Sequence, residues 1–302
     1  MKSLDIHIAS LASNDHRVIA RALTWVENDY PESAALLASL PFDQHVPVIG
    51  FTGPPGAGKS SLVNALISHL LSEKKKIAVL AVDPTSPFNY GSLLGDRIRM
   101  SEHFNHPDVF IRSVATRGSL GGLSAKMIEM TDVMKHSGFD VVIVETVGVG
   151  QSEVEISGLA DTTVVVLVPE AGDEIQTLKS GLMEIANVFV VNKADRDGAD
   201  HFVKNLTAMV HQKANDWEIP VIKTVASQSR GIVDLWQAVL HHQAQQEKSG
   251  KAVQLLAEKS LQLIAQHHLK HIDKQALIQN LTQSSNKIGF NLYQFLNQSY
   301  FN

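Results

Sequence analysis

The sequence predicts a doubly wound α/β domain on a mostly parallel sheet, with helical additions at both ends. Three observations point there. Short apolar runs recur between residues 48 and 225 with few alternating polar residues, the pattern of strands buried on both faces. Amphipathic segments of helical period separate the runs. A glycine-rich turn joins the first run directly to the first of those helices.

Taken in order, the chain opens with apolar positions at helical spacing: Leu11, Val18, Ile19, Leu23 and Val26, then Ala35, Leu36 and Leu40. Pro31 and Pro41 punctuate them, so residues 1–45 form an N-terminal extension of two short helices laid against the main domain. Residues 46–242 form that domain. Its strands fall at Val48–Thr52, Ile77–Val82, Val109–Val114, Asp140–Val144, Thr163–Val168, Val188–Val191 and Val221–Val225. Its helices fall at Lys59–Leu71, Leu123–His136, Glu174–Ala186, Ala199–Ala214 and Ile232–His242. Residues 243–302 are Gln- and Lys-rich helical sequence with an apolar stripe through Val253, Leu255, Leu256, Leu261–Leu263, Leu277, Ile278, Leu281, Phe290, Leu292 and Phe295. A helical cap on the same domain and an arm that makes a dimer both fit this stripe.

Composition narrows the function. Of 302 residues, 44% are hydrophobic and 19% charged, enough apolar surface for a sizeable core and too much for global disorder. The net charge of −5 argues against a nucleic-acid binder, which would carry a basic stripe. No cysteine is present, which excludes disulfides, thiolate metal sites and cysteine nucleophiles. The first ten residues lack the apolar core of a signal peptide, and the apolar runs fall far short of the ~20 residues that span a bilayer. The expectation is a soluble, cytoplasmic protein without a membrane or nucleic-acid partner.

The strongest chemical signal is Gly53-Pro54-Pro55-Gly56-Ala57-Gly58-Lys59-Ser60, followed by Ser61. It matches G-x(4)-G-K-[ST] between an apolar strand and a helix, the setting of a P-loop. Glycines let backbone N–H groups turn inward around phosphate oxygens, and the helix N-terminus adds partial positive charge. Lys59 supplies a mobile cation for the β- and γ-phosphates, and the Ser60 hydroxyl is placed to ligate magnesium. The bland alternative is a glycine-rich turn without a ligand; the strand-before, helix-after context argues against it.

A base-reading signal follows the strand Val188–Val191: Asn192-Lys193-Ala194-Asp195. The Asp195 carboxylate can accept from guanine N1–H and the 2-amino group, a donor pair that adenine lacks. Asn192 braces neighbouring loops and the Lys193 stem packs along the base. Alone such a turn is weak, but together with a P-loop it favours GTP over ATP.

Carboxylates at strand ends supply metal and switch candidates. Asp83 follows Ile77–Val82, Glu145 opens Glu145-Thr146-Val147-Gly148-Val149-Gly150-Gln151, and Asp96 lies in Leu94-Gly95-Asp96-Arg97. Magnesium needs only a few oxygen ligands beside the phosphates. One such carboxylate can also orient the attacking water. The alternative, helix capping, fits Asp83 poorly because a proline follows it.

The runs A-V-D-P-T-S-P, L-G-D-R-I-R-M and V-V-I-V-E-T-V-G-V-G-Q-S-E resemble the methylmalonyl-CoA mutase-associated GTPases, the MeaB/ArgK family. G-D-E-I-Q-T-L-K-S-G-L-M-E at residues 172–184 and R-G-I-V-D-L-W at residues 230–236 extend the resemblance. It implies a P-loop NTPase fold, hydrolysis of GTP to GDP and phosphate, and Asp83, Asp96 and Glu145 around magnesium and the γ-phosphate, with Lys59, Asp96 and Glu145 as catalytic residues. It also implies that Asp173 and Lys179 lie in a further switch that relays nucleotide state to a partner, an adenosylcobalamin-dependent acyl-CoA mutase such as methylmalonyl-CoA mutase. The protein then acts as a chaperone-like switch, and a homodimer is expected.

Three positions depart from the family pattern. Glu170 stands where a small residue is usual, Thr224-Val225-Ala226-Ser227 carries V-A in place of S-A, and the last 60 residues lack a tryptophan-rich helix. Because that V-A loop meets guanine through its backbone at Ala226, GTP binding should survive the change. Three other functions stay open on the residues. His267 and His271, four apart on one helix, suggest a metallochaperone GTPase that delivers a metal ion to a target enzyme. Older family naming suggests a kinase acting on a transport-binding protein. A structural module with a degenerate P-loop is the third; intact Lys59, Ser60 and Asp195 speak against it.

Overall fold

In the computed structural model, the described residues are 10–41, 46–83, 100–115, 126–146, 155–170, 181–211, 217–249, 251–269, 272–286 and 289–300. Two helices open the chain, α1 (His16–Glu27) and α2 (Pro31–Ser39), followed by β1 (Val48–Thr52), α3 (Lys59–Ser72) and β2 (Ile77–Asp83). Next come β3 (Val109–Ala115), α4 (Met127–Lys135), β4 (Val141–Glu145), β5 (Thr162–Leu167), α5 (Leu182–Ile185) and β6 (Val188–Val191). Then follow α6 (Ala199–Val210), β7 (Val221–Lys223), α7 (Ile232–Ser249), α8 (Lys251–Leu269), α9 (Lys274–Ser285) and α10 (Leu292–Ser299).

The strands form one seven-stranded sheet in the order β3-β2-β4-β1-β5-β6-β7, and every pairing is parallel. Continuous apolar runs are what this position demands. Every residue of β1, β4, β5 and β6 is buried, whereas the edge strands β3 and β7 are partly exposed. Successive side chains divide between two cores. Val164, Val166, Val188 and Val190 join Ile49 and Phe51 under Leu62, Leu66 and Leu235 of α3 and α7. Val165, Leu167, Phe189 and Val191 pack with Phe202 and Leu206 of α6.

The predicted strands are all present, with small shifts at the ends. β7 stops at Lys223, after which Val225 leaves the ladder to bridge to Arg230. α7 runs beyond His242 to Ser249, since residues 243–249 contain no helix breaker. The starts of the helices predicted from Leu123 and Glu174, and the end of the one predicted to Ala214, lie outside the described residues.

The N-terminal helices pack on the β3–α4 side of the sheet. Asp15 caps α1 by accepting from the Arg17 and Val18 N–H groups, and Ile19, Ala22, Leu23 and Val26 make its buried face. Glu27 pairs with Arg112 of β3 at 2.6 Å, and Asp29 pairs with Lys126 ahead of α4 at 2.9 Å. The His16 ring meets Phe110 edge-on at 5.3 Å.

The chain divides into two compact units, residues 1–255 and residues 256–302. In the second, Asp273 caps α9 and Asn291 caps α10 through their side chains, and neither helix buries a described residue. Phe290 and Phe295 stand 6.1 Å apart, and Leu261, Ile264, Ile278 and Leu292 are exposed. No helix among the described residues is long and apolar enough to cross a membrane.

Candidate nucleotide-binding site

β1 is central, and the chain passes from one side of it to the other between β4 and β5. Parallel pairing therefore gathers the carboxyl ends of β1, β2, β4, β5 and β6 along one edge, where ligands of open α/β sheets bind. The P-loop leaves β1 there, Glu145 ends β4, and Asn192 follows β6.

The P-loop geometry depends on two glycines. Gly53 has φ +135, and a Cβ on it would lie 2.1 Å from Val166 O. Gly58, at φ +88, caps α3 in the left-handed region, and a Cβ there would lie 2.4 Å from Asn192 Nδ2. No other residue fits either position. Gly58 at the N-cap offers no side-chain cap of its own, which leaves the helix end suited to an anion.

Lys59 is buried, and its ammonium donates to Gly53 O at 2.8 Å and Pro54 O at 3.2 Å. Ser60 is buried beside it and donates through Oγ to Glu145 Oε1 at 2.7 Å. Glu145 is itself 3% exposed, so a hydroxyl and a carboxylate meet in a dry site at the foot of the loop. Both are hard oxygen donors, the set that magnesium prefers, so these residues fit such an ion. The neighbouring strand end is fixed by Thr146, whose Oγ1 donates to Thr52 Oγ1 at 3.1 Å and whose N–H donates to Phe51 O. Pro55, Gly56 and Ser61 are exposed, and Ala57 is buried.

Asn192 is the junction of the site. Buried to 2% exposure, it donates through Nδ2 to Ala57 O at 2.9 Å. Its Oδ1 accepts from Thr224 Oγ1 at 3.1 Å and from the Ala226 N–H at 3.2 Å. One side chain thereby locks the P-loop to the loop after β7. Lys193, at φ +55, sends its Nζ to Gly56 O at 2.7 Å, so its stem runs from the loop after β6 to the P-loop. Asp195 is exposed, and Arg196 beside it pairs with Glu170.

The structure thus brings together Gly53–Ser60, Glu145, Asn192, Lys193, Asp195 and Ala226 along one sheet edge. Asp96, Asp173 and Lys179 lie outside the described residues; Asp83 is placed as the last residue of β2. His271 of the proposed metal pair also lies outside them, while His267 is exposed on α8, and no group of three or more His, Cys, Asp or Glu capable of holding a metal is found among the described residues. Sequence reasoning missed Thr224 as a partner of Asn192 and Arg196 as a partner of Glu170. Neither pairing had a local signal, because the partners lie 32 and 26 residues apart in the chain.

Residues 19–283 match the family model described as methylmalonyl Co-A mutase-associated GTPase MeaB. The chain belongs to this family. A Pyrococcus horikoshii protein that carries the name of a GTPase is 47% identical over 86% of this chain and 82% of its own length. GTPase ArgK of Escherichia coli is 36% identical over 84% of this chain and 80% of its own. The crystal structure of an LAO/AO transport system kinase superposes with a TM-score of 0.69 at 27% identity, covering 99% of this chain and 96% of that one. The protein is a P-loop GTPase, a hydrolase acting on GTP.

Proposed function

We propose that this MeaB-family GTPase binds GTP with magnesium along the described sheet edge and serves as a chaperone-like switch for an adenosylcobalamin-dependent acyl-CoA mutase such as methylmalonyl-CoA mutase. The observation that carries the site is the buried Ser60–Glu145 contact at 2.7 Å, beside a P-loop that Asn192 ties to the base loop. The partner rests on the family description and on a Caenorhabditis elegans relative named methylmalonic aciduria type A homolog, 39% identical over 62% of this chain and 51% of its own length.

In this proposal Lys59 swings from the Gly53 and Pro54 carbonyls to the β- and γ-phosphate oxygens, while the loop N–H groups hold the rest of the phosphate chain. Ser60, Asp83, Asp96 and Glu145 are the residues that would hold the magnesium. Bound there, the ion neutralises charge that develops on the phosphate oxygens. Glu145 and Asp96 orient the attacking water, Asp195 accepts from the guanine N1–H and 2-amino groups, and the Ala226 backbone meets the base edge. Asp173 and Lys179 carry nucleotide state to the mutase. The exposed apolar side chains of α8, α9 and α10 support a homodimer made through residues 243–302.

The test is GTP turnover with and without purified methylmalonyl-CoA mutase, in wild type and Lys179→Ala. Stimulation in wild type that is mostly lost in Lys179→Ala, at equal basal rate, supports the switch. Equal stimulation in both removes Lys179 from it, and no stimulation of wild type rejects this mutase as partner.

A further inference from the structure

Asp195 stands in sequence between two cations, Lys193 and Arg196, and makes an ion pair with neither. Each cation is engaged elsewhere. The Lys193 ammonium donates to Gly56 O at 2.7 Å, and the Arg196 guanidinium is held by the Glu170 carboxylate, which reaches it from the segment after β5. Among the described residues Asp195 enters no salt bridge, and its side chain lies exposed.

We infer that Glu170 is a positioning residue for base recognition: by holding Arg196 it keeps the guanidinium off Asp195 and leaves that carboxylate open to the donors of guanine. The inference rests on the reading of Asp195 as the guanine acceptor. The physical argument is competition. A guanidinium one residue away from an exposed carboxylate pairs with it for part of the time, and a ligand that needs the carboxylate binds more weakly by that fraction. A carboxylate from another strand end that holds the arginine removes the competitor. Glu170 and Arg196 are about half exposed, so the pair is screened and its effect is modest.

Glu170→Gln removes the charge and keeps the shape. Fluorescent GDP titrations at low and high salt, together with steady-state GTP hydrolysis, read the outcome for Glu170→Gln, Arg196→Gln, the double variant and Asp195→Asn. Glu170→Gln is expected to weaken nucleotide binding about two- to fivefold at low salt, the scale of an exposed ion pair, with the change in KM rather than kcat. High salt shrinks the loss. Adding Arg196→Gln restores wild-type affinity, because no competitor remains. Wild-type affinity in Glu170→Gln, with Asp195→Asn clearly weakened, overturns the role of Glu170 alone. A double variant as weak as Glu170→Gln also overturns it, since Glu170 would then act without Arg196. Unchanged binding in Asp195→Asn instead overturns the base reading on which the inference stands.

Discussion

The two halves of the proposed nucleotide site are built on different principles. The phosphate half is buried and internally bonded: Lys59 and Ser60 spend their donors on loop carbonyls and on Glu145. The base half is open, with Asp195, Arg196 and Glu170 exposed and Asn192 as its buried anchor. Low dielectric strengthens each interaction in the first half and makes each deletion costly; water screens the second, so its residues act by number and placement. Asn192 connects the two, and its three hydrogen bonds to Ala57, Thr224 and Ala226 fix the P-loop against the loop after β7.

The comparison breaks most sharply at Lys59. Lys59→Ala removes a charge-assisted donor from a dry site, at about 1.5–3 kcal/mol for each bond lost, so nucleotide affinity should fall more than about 100-fold. The fold should persist, because the side chain packs no core. Fluorescent-nucleotide titration beside thermal melting separates the two; wild-type affinity would sink the phosphate assignment.

Asn192→Ala tests the bridge. It leaves Ala57 O and the Ala226 N–H without their present partner, and one such buried group costs about 1–3 kcal/mol. Stability and affinity should therefore fall together. A variant that loses affinity at unchanged melting temperature would place Asn192 on the ligand alone.

Asp195→Asn belongs to the exposed half and should do less: a loss of about 1.5–3 kcal/mol in GTP binding with a shift toward xanthosine triphosphate, whose 2-position carries an acceptor. Competition titrations with GTP, XTP and ATP measure it. ATP competing as well as GTP against the wild type would defeat the guanine reading.

The smallest effect lies away from the site. Burial lowers the pKa of His16 below its ordinary value, against the opposing pull of Asp15 and Asp108. A depressed folded-state pKa means that the neutral ring contributes stability above the ordinary histidine value, about 6.5, and loses it as pH falls through the lower folded value. Melting of wild type and His16→Phe between pH 7.5 and about pH 5 should show the wild type losing slightly more. Parallel curves would mean that the ring titrates as in water.

The phosphate half of this comparison was more legible in the sequence than the base half. G-P-P-G-A-G-K-S between an apolar run and a helix admits few structures, because Gly53 and Gly58 occupy backbone conformations and contacts that other residues cannot. N-K-A-D after a buried strand is weak alone and drew its weight from the P-loop before it, and the family resemblance met a matching family model. The pairing of Glu170 with Arg196 was not legible: the two residues are distant in sequence, and each reads as a solvated charge.

By itself, the sequence determined the strands, the all-round burial of the central four and the chemistry of the phosphate loop, because hydrophobic period and glycine placement are local properties. Only the tertiary structure decided the strand order, the meeting of Ser60 with Glu145, and the bridge from Asn192 to Ala57 and Thr224. Those contacts join residues far apart in the chain, and they exist because parallel pairing carries separate strand ends to one edge.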